Sequence, residues 1–268
     1  MTGERDAGGG GRDGRDAKSI APADLFDLSG KVALVTGGSR GLGREMVRAF
    51  ATAGADVVIA SRKSEACETV AEEVRALGRR ALPVAAHVGR WADLGRLADL
   101  AYEEFGHVDV LVNNAGMSPV APSSAGTGEE LFDKVVGVNF KGPFRLASLI
   151  GERMAEGDGG SIINISSSGA LFPQPRFGPY AGAKAALNAL TTVFALEYGP
   201  TVRVNTISAG PFLTDISKAW TEEKRQTARS AAGRPGRPQE IISTALYLAS
   251  DASSYTTGSL IRVDGGLY

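Results

Sequence analysis

Between residues 31 and 263 the chain alternates short apolar runs with longer stretches of helical periodicity. The runs fall at 31–36, 56–61, 81–88, 108–112, 160–165, 202–207 and 260–263. The first, 31–36, has the length and apolar continuity of a fully buried strand. The stretches between the runs place apolar residues three and four apart, as in Cys67, Val70, Ala71, Val74 and Leu77. Helices are predicted on that spacing over 42–53, 64–77, 91–105, 129–154, 180–198 and 238–249. Strands joined through helices form a parallel sheet with helices on both faces, so the predicted fold class is α/β.

Ligands in such sheets bind at the carboxyl ends of the strands. The polar clusters of this chain fall there, at 36–43, 61–63, 113–116 and 166–168. The first cluster, Thr36-Gly37-Gly38-Ser39-Arg40-Gly41-Leu42-Gly43, lies between a strand and a helix. Its glycines let backbone approach a pyrophosphate, and the helix start offers N–H groups and a positive dipole end. Gly37, Ser39, Arg40, Gly41, Leu42 and Gly43 are therefore candidate cofactor-binding residues. A dinucleotide fold that prefers NAD carries an acidic residue after its second strand, to hold the ribose 2′-hydroxyl. Here Ser61, Arg62 and Lys63 stand there instead. A carboxylate would repel a 2′-phosphate, whereas guanidinium groups clamp one. With Arg40 nearby, the expectation is NADP(H) over NAD(H), set against the plainer reading of two ordinary surface bases.

The catalytic candidates lie further along. Tyr180 and Lys184 are four residues apart, which puts them one turn apart on one face of a helix that Pro179 opens. A free phenol titrates at about 10 and is a poor base at neutral pH. A nearby ammonium favours the phenolate and lowers that value. A tyrosine tuned in this way exchanges a proton with an alcohol or a forming alkoxide. A serine from the end of the preceding strand, among Ser166, Ser167 and Ser168, would hold the same oxygen. Such a pair also arises as a solvated tip and a snorkelling stem, so the rest of the chain must decide.

The 268 residues include 29 basic and 30 acidic side chains. That balance gives no field for nucleic acid or an anionic membrane. Cys67 stands alone among cysteines, which excludes an intramolecular disulfide and fits a reducing, cytoplasmic setting. His87 and His107 have no zinc-ligand spacing, so no metal is expected. No apolar run reaches the length of a membrane span. Residues 1–23, mostly Gly, Arg, Asp and Ala, read as a disordered tail ahead of a domain over 24–268. Asn139 sits among apolar neighbours in the long helix, where its amide needs partners. Gly142-Pro143 is expected to disturb that helix. The segment from Ser208 to Arg237 reads as a helical or mobile lid carrying Phe212 and Trp220.

Taken together, these features resemble the short-chain dehydrogenase/reductase family. The resemblance spans residues 28–266. It rests on Thr36-Gly37-x-x-x-Gly41-x-Gly43, Asn113-Asn114-Ala115-Gly116, Asn139, Ser167, Tyr180-x-x-x-Lys184 and Asp264-Gly265-Gly266. It implies a single doubly wound Rossmann-type domain with a seven-stranded parallel sheet. Tyr180 would be the general acid/base. Lys184 would hold the nicotinamide ribose and lower the tyrosine pKa. Ser167 would orient the substrate oxygen, chosen because the family's serine lies thirteen residues before its tyrosine. Asn139 would anchor a water in a proton relay. Asn114, Ala115, Gly116, Gly210, Pro211 and Phe212 would line the cofactor, and Thr214 would contact its carboxamide. The substrate would be a small carbonyl or alcohol, and the long helices would build a homotetramer or homodimer.

Two departures qualify the resemblance. Many members carry an Asp after the third strand, where His87-Val88-Gly89 stands here. His87 is then a packed or adenine-edge residue, and Val88 keeps backbone and apolar contacts to adenine. The usual Pro-Gly after the sixth strand is Ala209-Gly210-Pro211, which keeps the glycine and hence the turn. Ser61-Arg62-Lys63 with His87-Val88-Gly89 looks like the NADPH-preferring carbonyl reductases, favouring ketone or aldehyde reduction. Two rivals remain. An enoyl-thioester reductase on the same fold would fit Ala209-Gly210-Pro211, but usually spaces tyrosine and lysine more widely. A non-catalytic dinucleotide-binding regulator typically loses one of the two. The pocket residues, 117–120, 171–177 and the Phe212 to Trp220 lid, are largely apolar. They suggest a neutral, moderately hydrophobic substrate, with Arg176 an anion clamp if it points inward.

Overall fold

A computed structural model describes residues 21, 24–215, 217 and 220–268. The expected tail lies, but for Ala21, outside them. Seven strands form one sheet: β1 (Val32–Thr36), β2 (Asp56–Ser61), β3 (Ala81–Ala85), β4 (Val110–Asn113), β5 (Gly160–Ser167), β6 (Val202–Ala209) and β7 (Leu260–Val263). Their order is β3-β2-β1-β4-β5-β6-β7, and every neighbouring pair is parallel. The helices α1 (Gly41–Thr52), α2 (Ser64–Ala76), α3 (Trp91–Phe105), α4 (Glu129–Val136), α5 (Gly142–Glu156), α6 (Gly178–Glu197), α7 (Glu222–Gln226) and α8 (Ile242–Ala249) connect them. The strand order reverses direction between β1 and β4, the crevice where such sheets bind ligands.

Strand alternation sorts the core into two layers. Along β1, Ala33 and Val35 join Met46, Phe50, Val70 and Leu248 on the face covered by α1, α2 and α8. Val32 and Leu34 point the other way, to Leu97, Ile150 and Phe194 under α3, α5 and α6. Because both of its faces are buried, β1 carries an unbroken apolar run rather than a polar alternation. Burial on both sides is what made that run visible in the sequence.

Some boundaries differ from the sequence reading. β3 stops at Ala85 because the chain then turns, with Arg90 N–H donating to the His87 carbonyl at 2.8 Å. β6 runs on to Ala209 because Thr206 to Ala209 pair with β7. The long helix is broken into α4 and α5 by a π-helical turn, Gly137–Lys141. Gly142 N–H reaches back five residues to the Gly137 carbonyl. Pro143 has no N–H to give the Asn139 carbonyl one turn earlier, so the distortion begins ahead of the proline. The helix expected at 238–249 opens as a 3₁₀ turn, Pro238–Ile241. In the expected lid the described helix is α7, capped by the Thr221 hydroxyl.

Candidate active site

The glycine turn is shaped by close approach. Gly37 and Gly41 have φ of +65° and +53°, where a side chain is strained. A Cβ on Gly43 would strike the Gly37 carbonyl and come 2.5 Å from Asn114 Nδ2. Gly43 thus lets the first turn of α1 sit against the loop. Asn114 Nδ2 donates to the Thr36 carbonyl at 2.8 Å and to the Gly37 carbonyl at 3.2 Å. The Thr36 hydroxyl donates to the Val112 carbonyl and accepts the N–H groups of Asn114 and Ala115. The strand ends at the switch point are therefore sewn together. Arg40, the residue before α1, provides no side-chain cap, so the helix start keeps its N–H groups for a ligand. This cradle fits a dinucleotide pyrophosphate.

The reactive side chains meet at the end of β5. Tyr180 lies in the first turn of α6, which Pro179 opens, and the Ser167 hydroxyl lies near enough to its phenol to pull its pKa down. Ser167 also accepts the Gly169 N–H at 3.0 Å, which fixes its rotamer. Ser166 faces α6 instead, its hydroxyl donating to the Lys184 carbonyl. Lys184 is 3% exposed, and its Nζ donates to the Ile165 carbonyl at 2.7 Å. Asn139 is fully buried. Its Nδ2 donates to the carbonyls of Met117 and Val135, and its Oδ1 accepts the Met117 N–H. A Cβ on Gly116 would lie 3.0 Å from Asn139 Oδ1 and 3.7 Å from Lys184 Nζ. That glycine keeps open the space between them.

Several expectations need correction. Lys184 was expected to lower the Tyr180 pKa. Burial is the larger influence and pushes the phenol above its ordinary value, with the Ser167 hydroxyl opposing it. The same burial drives Lys184 down to about 8, and its ammonium is aimed at the Ile165 carbonyl. Phe212 does not line the cofactor cleft with its ring: it is 6% exposed, packed in the core against Gly236. Arg40 Nη1 pairs with Asp215 at 3.2 Å, an acidic partner that the sequence reading overlooked. Arg176 Nε donates to the Ala121 carbonyl at 2.7 Å, joining two loops that leave the sheet.

The other candidates hold these places. Ser61 Oγ lies 3.1 Å from Cys67 Sγ. Arg62 and Lys63 are exposed, and among the described residues they form no ion pair. His87 Nδ1 accepts the Gly89 N–H at 3.1 Å, and His87 N–H donates to Asp93. The imidazole therefore folds back on its own loop. The Val88 carbonyl packs against Gly142. Gly210 passes over Asp264, and the Pro211 carbonyl accepts the Gly236 N–H. Thr214 lies across Gly41, with its Cγ2 3.4 Å from where a Cβ there would be. A surface cavity of about 440 Å³ lies outside α1 between Arg44 and Ser217 rather than over Tyr180. Thr214 and Asp215 cover the glycine turn, so chemistry rather than size marks the site. Among the described residues no group of three His, Cys, Asp or Glu could hold a metal ion. No described helix is long and apolar enough to cross a membrane.

A parallel doubly wound sheet with a glycine cradle at its switch point, and a buried tyrosine and lysine beside it, is the arrangement of Rossmann-type dinucleotide-binding proteins. Residues 37–268 match the family model described as enoyl-(acyl carrier protein) reductase. The short chain dehydrogenase/reductase astE of Aspergillus oryzae is 38% identical over 251 residues, covering 90% of this chain and 96% of the relative. A short-chain type dehydrogenase/reductase from Mycobacterium marinum superposes with a TM-score of 0.86 at 37% identity, covering 90% of this chain and 97% of that one. A 7α-hydroxysteroid dehydrogenase, solved with NADH and 7-oxo glycochenodeoxycholic acid, gives 0.88 at 34% identity, covering 92% and 98%. The chain belongs to the short-chain dehydrogenase/reductase family.

Proposed function

We propose that this protein is an NADP(H)-dependent oxidoreductase interconverting a ketone or aldehyde and its alcohol. The observation that carries the reading is the buried Tyr180 phenol at the end of β5 with Ser167, one helical turn from the buried Lys184, beside the glycine cradle. Bound NADPH would supply the hydride. Tyr180 gives its proton to the carbonyl oxygen as that oxygen gains charge, and takes it back in the reverse direction. Ser167, held by the Gly169 N–H, hydrogen-bonds the same oxygen. Lys184 offers ammonium protons to the ribose hydroxyls. The Asn139 carbonyl, which Pro143 cannot bond, would hold a relay water. The Asn139 side chain braces the Met117 loop. Ala115, Gly116 and the Thr214 segment flank the cofactor.

Arg62, Lys63 and Arg40 carry the preference for NADP(H): two exposed bases stand at the end of β2 where a carboxylate would select NAD. The exposed Phe132, Phe144, Val193 and Leu196 on α4, α5 and α6 support assembly into a homodimer or homotetramer. Tyr180→Phe should lose turnover about 10²- to 10⁴-fold while NADPH still quenches intrinsic fluorescence. Unimpaired reduction would refute the assigned acid. Tighter binding of NADH than NADPH would overturn the cofactor reading. Ala209-Gly210-Pro211 favours enoyl-thioester reduction as the second reading, which an enoyl-thioester assay separates.

A further inference from the structure

We propose that a buried hydrogen-bond chain, Asn113–Asn164–Thr191–Thr206, is a positioning network that sets the catalytic helix against the cofactor cradle. The proposal rests on the reading of Tyr180 and Lys184 above. Asn113 Nδ2 donates to Asn164 Oδ1 at 3.0 Å, and Asn164 Nδ2 donates to Thr191 Oγ1 at 2.9 Å. Thr191 Oγ1 and Thr206 Oγ1 lie 2.6 Å apart, and Thr191 also reaches the Leu187 carbonyl. No member is more than 2% exposed. The chain crosses β4, β5, α6 and β6.

Apolar residues of the same shape would fill this space with little loss of stability. What they would lack is direction. The buried face of α6 is Ala181, Ala183, Leu187, Phe194 and Ala195 around the polar pair Lys184 and Thr191. Small apolar contacts tolerate slip, whereas hydrogen bonds hold distance and angle. Ser166 and Ile165 pin the helix at Lys184. Thr191 supplies a second pin two turns on, and two pins fix the rotation of a rod. At about 100° per residue, Tyr180, Lys184 and Thr191 lie within a stripe about 40° wide. A slip at Thr191 therefore reaches Tyr180, about 16 Å away at ~1.5 Å per residue, as a rigid displacement. At the other end, Asn113 adjoins Asn114, whose amide holds the glycine turn. One polar chain thus spans from the cradle to the proton donor.

The test is Thr191→Val, which removes the hydroxyl at constant shape, with Thr191→Ser as the rescue. Both are assayed with NADPH and the ketone that the unaltered protein turns over fastest. For Thr191→Val, kcat should fall about tenfold, as expected for a sub-ångström misplacement. KM for the ketone and NADPH affinity by fluorescence should hold. The primary isotope effect with C4-deuterated NADPH should rise, because hydride transfer becomes slower relative to the other steps. Thr191→Ser should recover kcat. If Thr191→Val does not fold, Thr206→Val carries the same readouts. Unchanged kcat and isotope effect would overturn the proposal. So would a kcat loss that merely tracks the unfolded fraction with a normal isotope effect. Tyr180→Phe runs alongside. If it stays active, the reading of the site fails; if it is dead while Thr191→Val behaves normally, this inference alone fails.

Discussion

Lys184 should make the protein less stable than it would be without it, and Lys184→Met measures by how much. An unperturbed lysine titrates near 10.5, and burial brings Lys184 to about 8. That difference corresponds to about 3 kcal/mol of unfavourable free energy while the ammonium is charged. Methionine has similar length and no charge to bury. It loses the bond to the Ile165 carbonyl, which costs about 1 kcal/mol. At pH 7 the variant should therefore be more stable by about 2 kcal/mol.

The pH dependence separates this cause from better packing. The folded value lies below the unfolded one, so between them the unfolded chain binds more protons. Stability attributable to Lys184 then rises with pH across that window. The penalty is full below about 8 and gone above 10.5. Urea midpoints of both proteins at pH 7 and pH 10 would show the gap, with the other alkaline titrations cancelling in the difference. A Lys184→Met protein less stable at pH 7, or a gap that ignores pH, would refute the reasoning. On the proposed role of Lys184 the variant should also lose turnover, since the charge that weakens the fold is the one proposed to hold the ribose.

Two further substitutions test the surroundings of the site. Gly43→Ala puts a methyl against the Gly37 carbonyl and Asn114 Nδ2. It should destabilise by about 1–3 kcal/mol through overpacking and weaken NADPH binding, read by fluorescence titration; normal binding would show that the turn yields. Asn139→Ala removes the amide that bonds Met117 and Val135. It should lower kcat and unfold about 1–3 kcal/mol more easily, because the Met117 groups lose their partner; an unchanged urea midpoint would show that water replaces the side chain.

How much was legible depended on whether a residue's role is local or set by distant packing. The central strands were visible because both of their faces are buried, which leaves unbroken runs such as Val32–Thr36. The glycine turn was visible because Gly37 and Gly41 need a backbone that other residues resist. Tyr180 and Lys184 share a face by helical geometry alone. Arg40 finding Asp215 was not visible, since 175 residues separate them. Nor was Phe212 in the core, since a lid aromatic and a core aromatic look alike in one dimension. The sign of the Tyr180 pKa failed for a related reason. Helical spacing shows which charge is near; it says nothing of how much water the fold removes. Here desolvation raises the Tyr180 phenol and lowers the Lys184 ammonium. The chemistry then falls to what the cradle brings beside them. A buried ammonium at about 8 is poised to gain from any ligand hydroxyl that replaces its lost water.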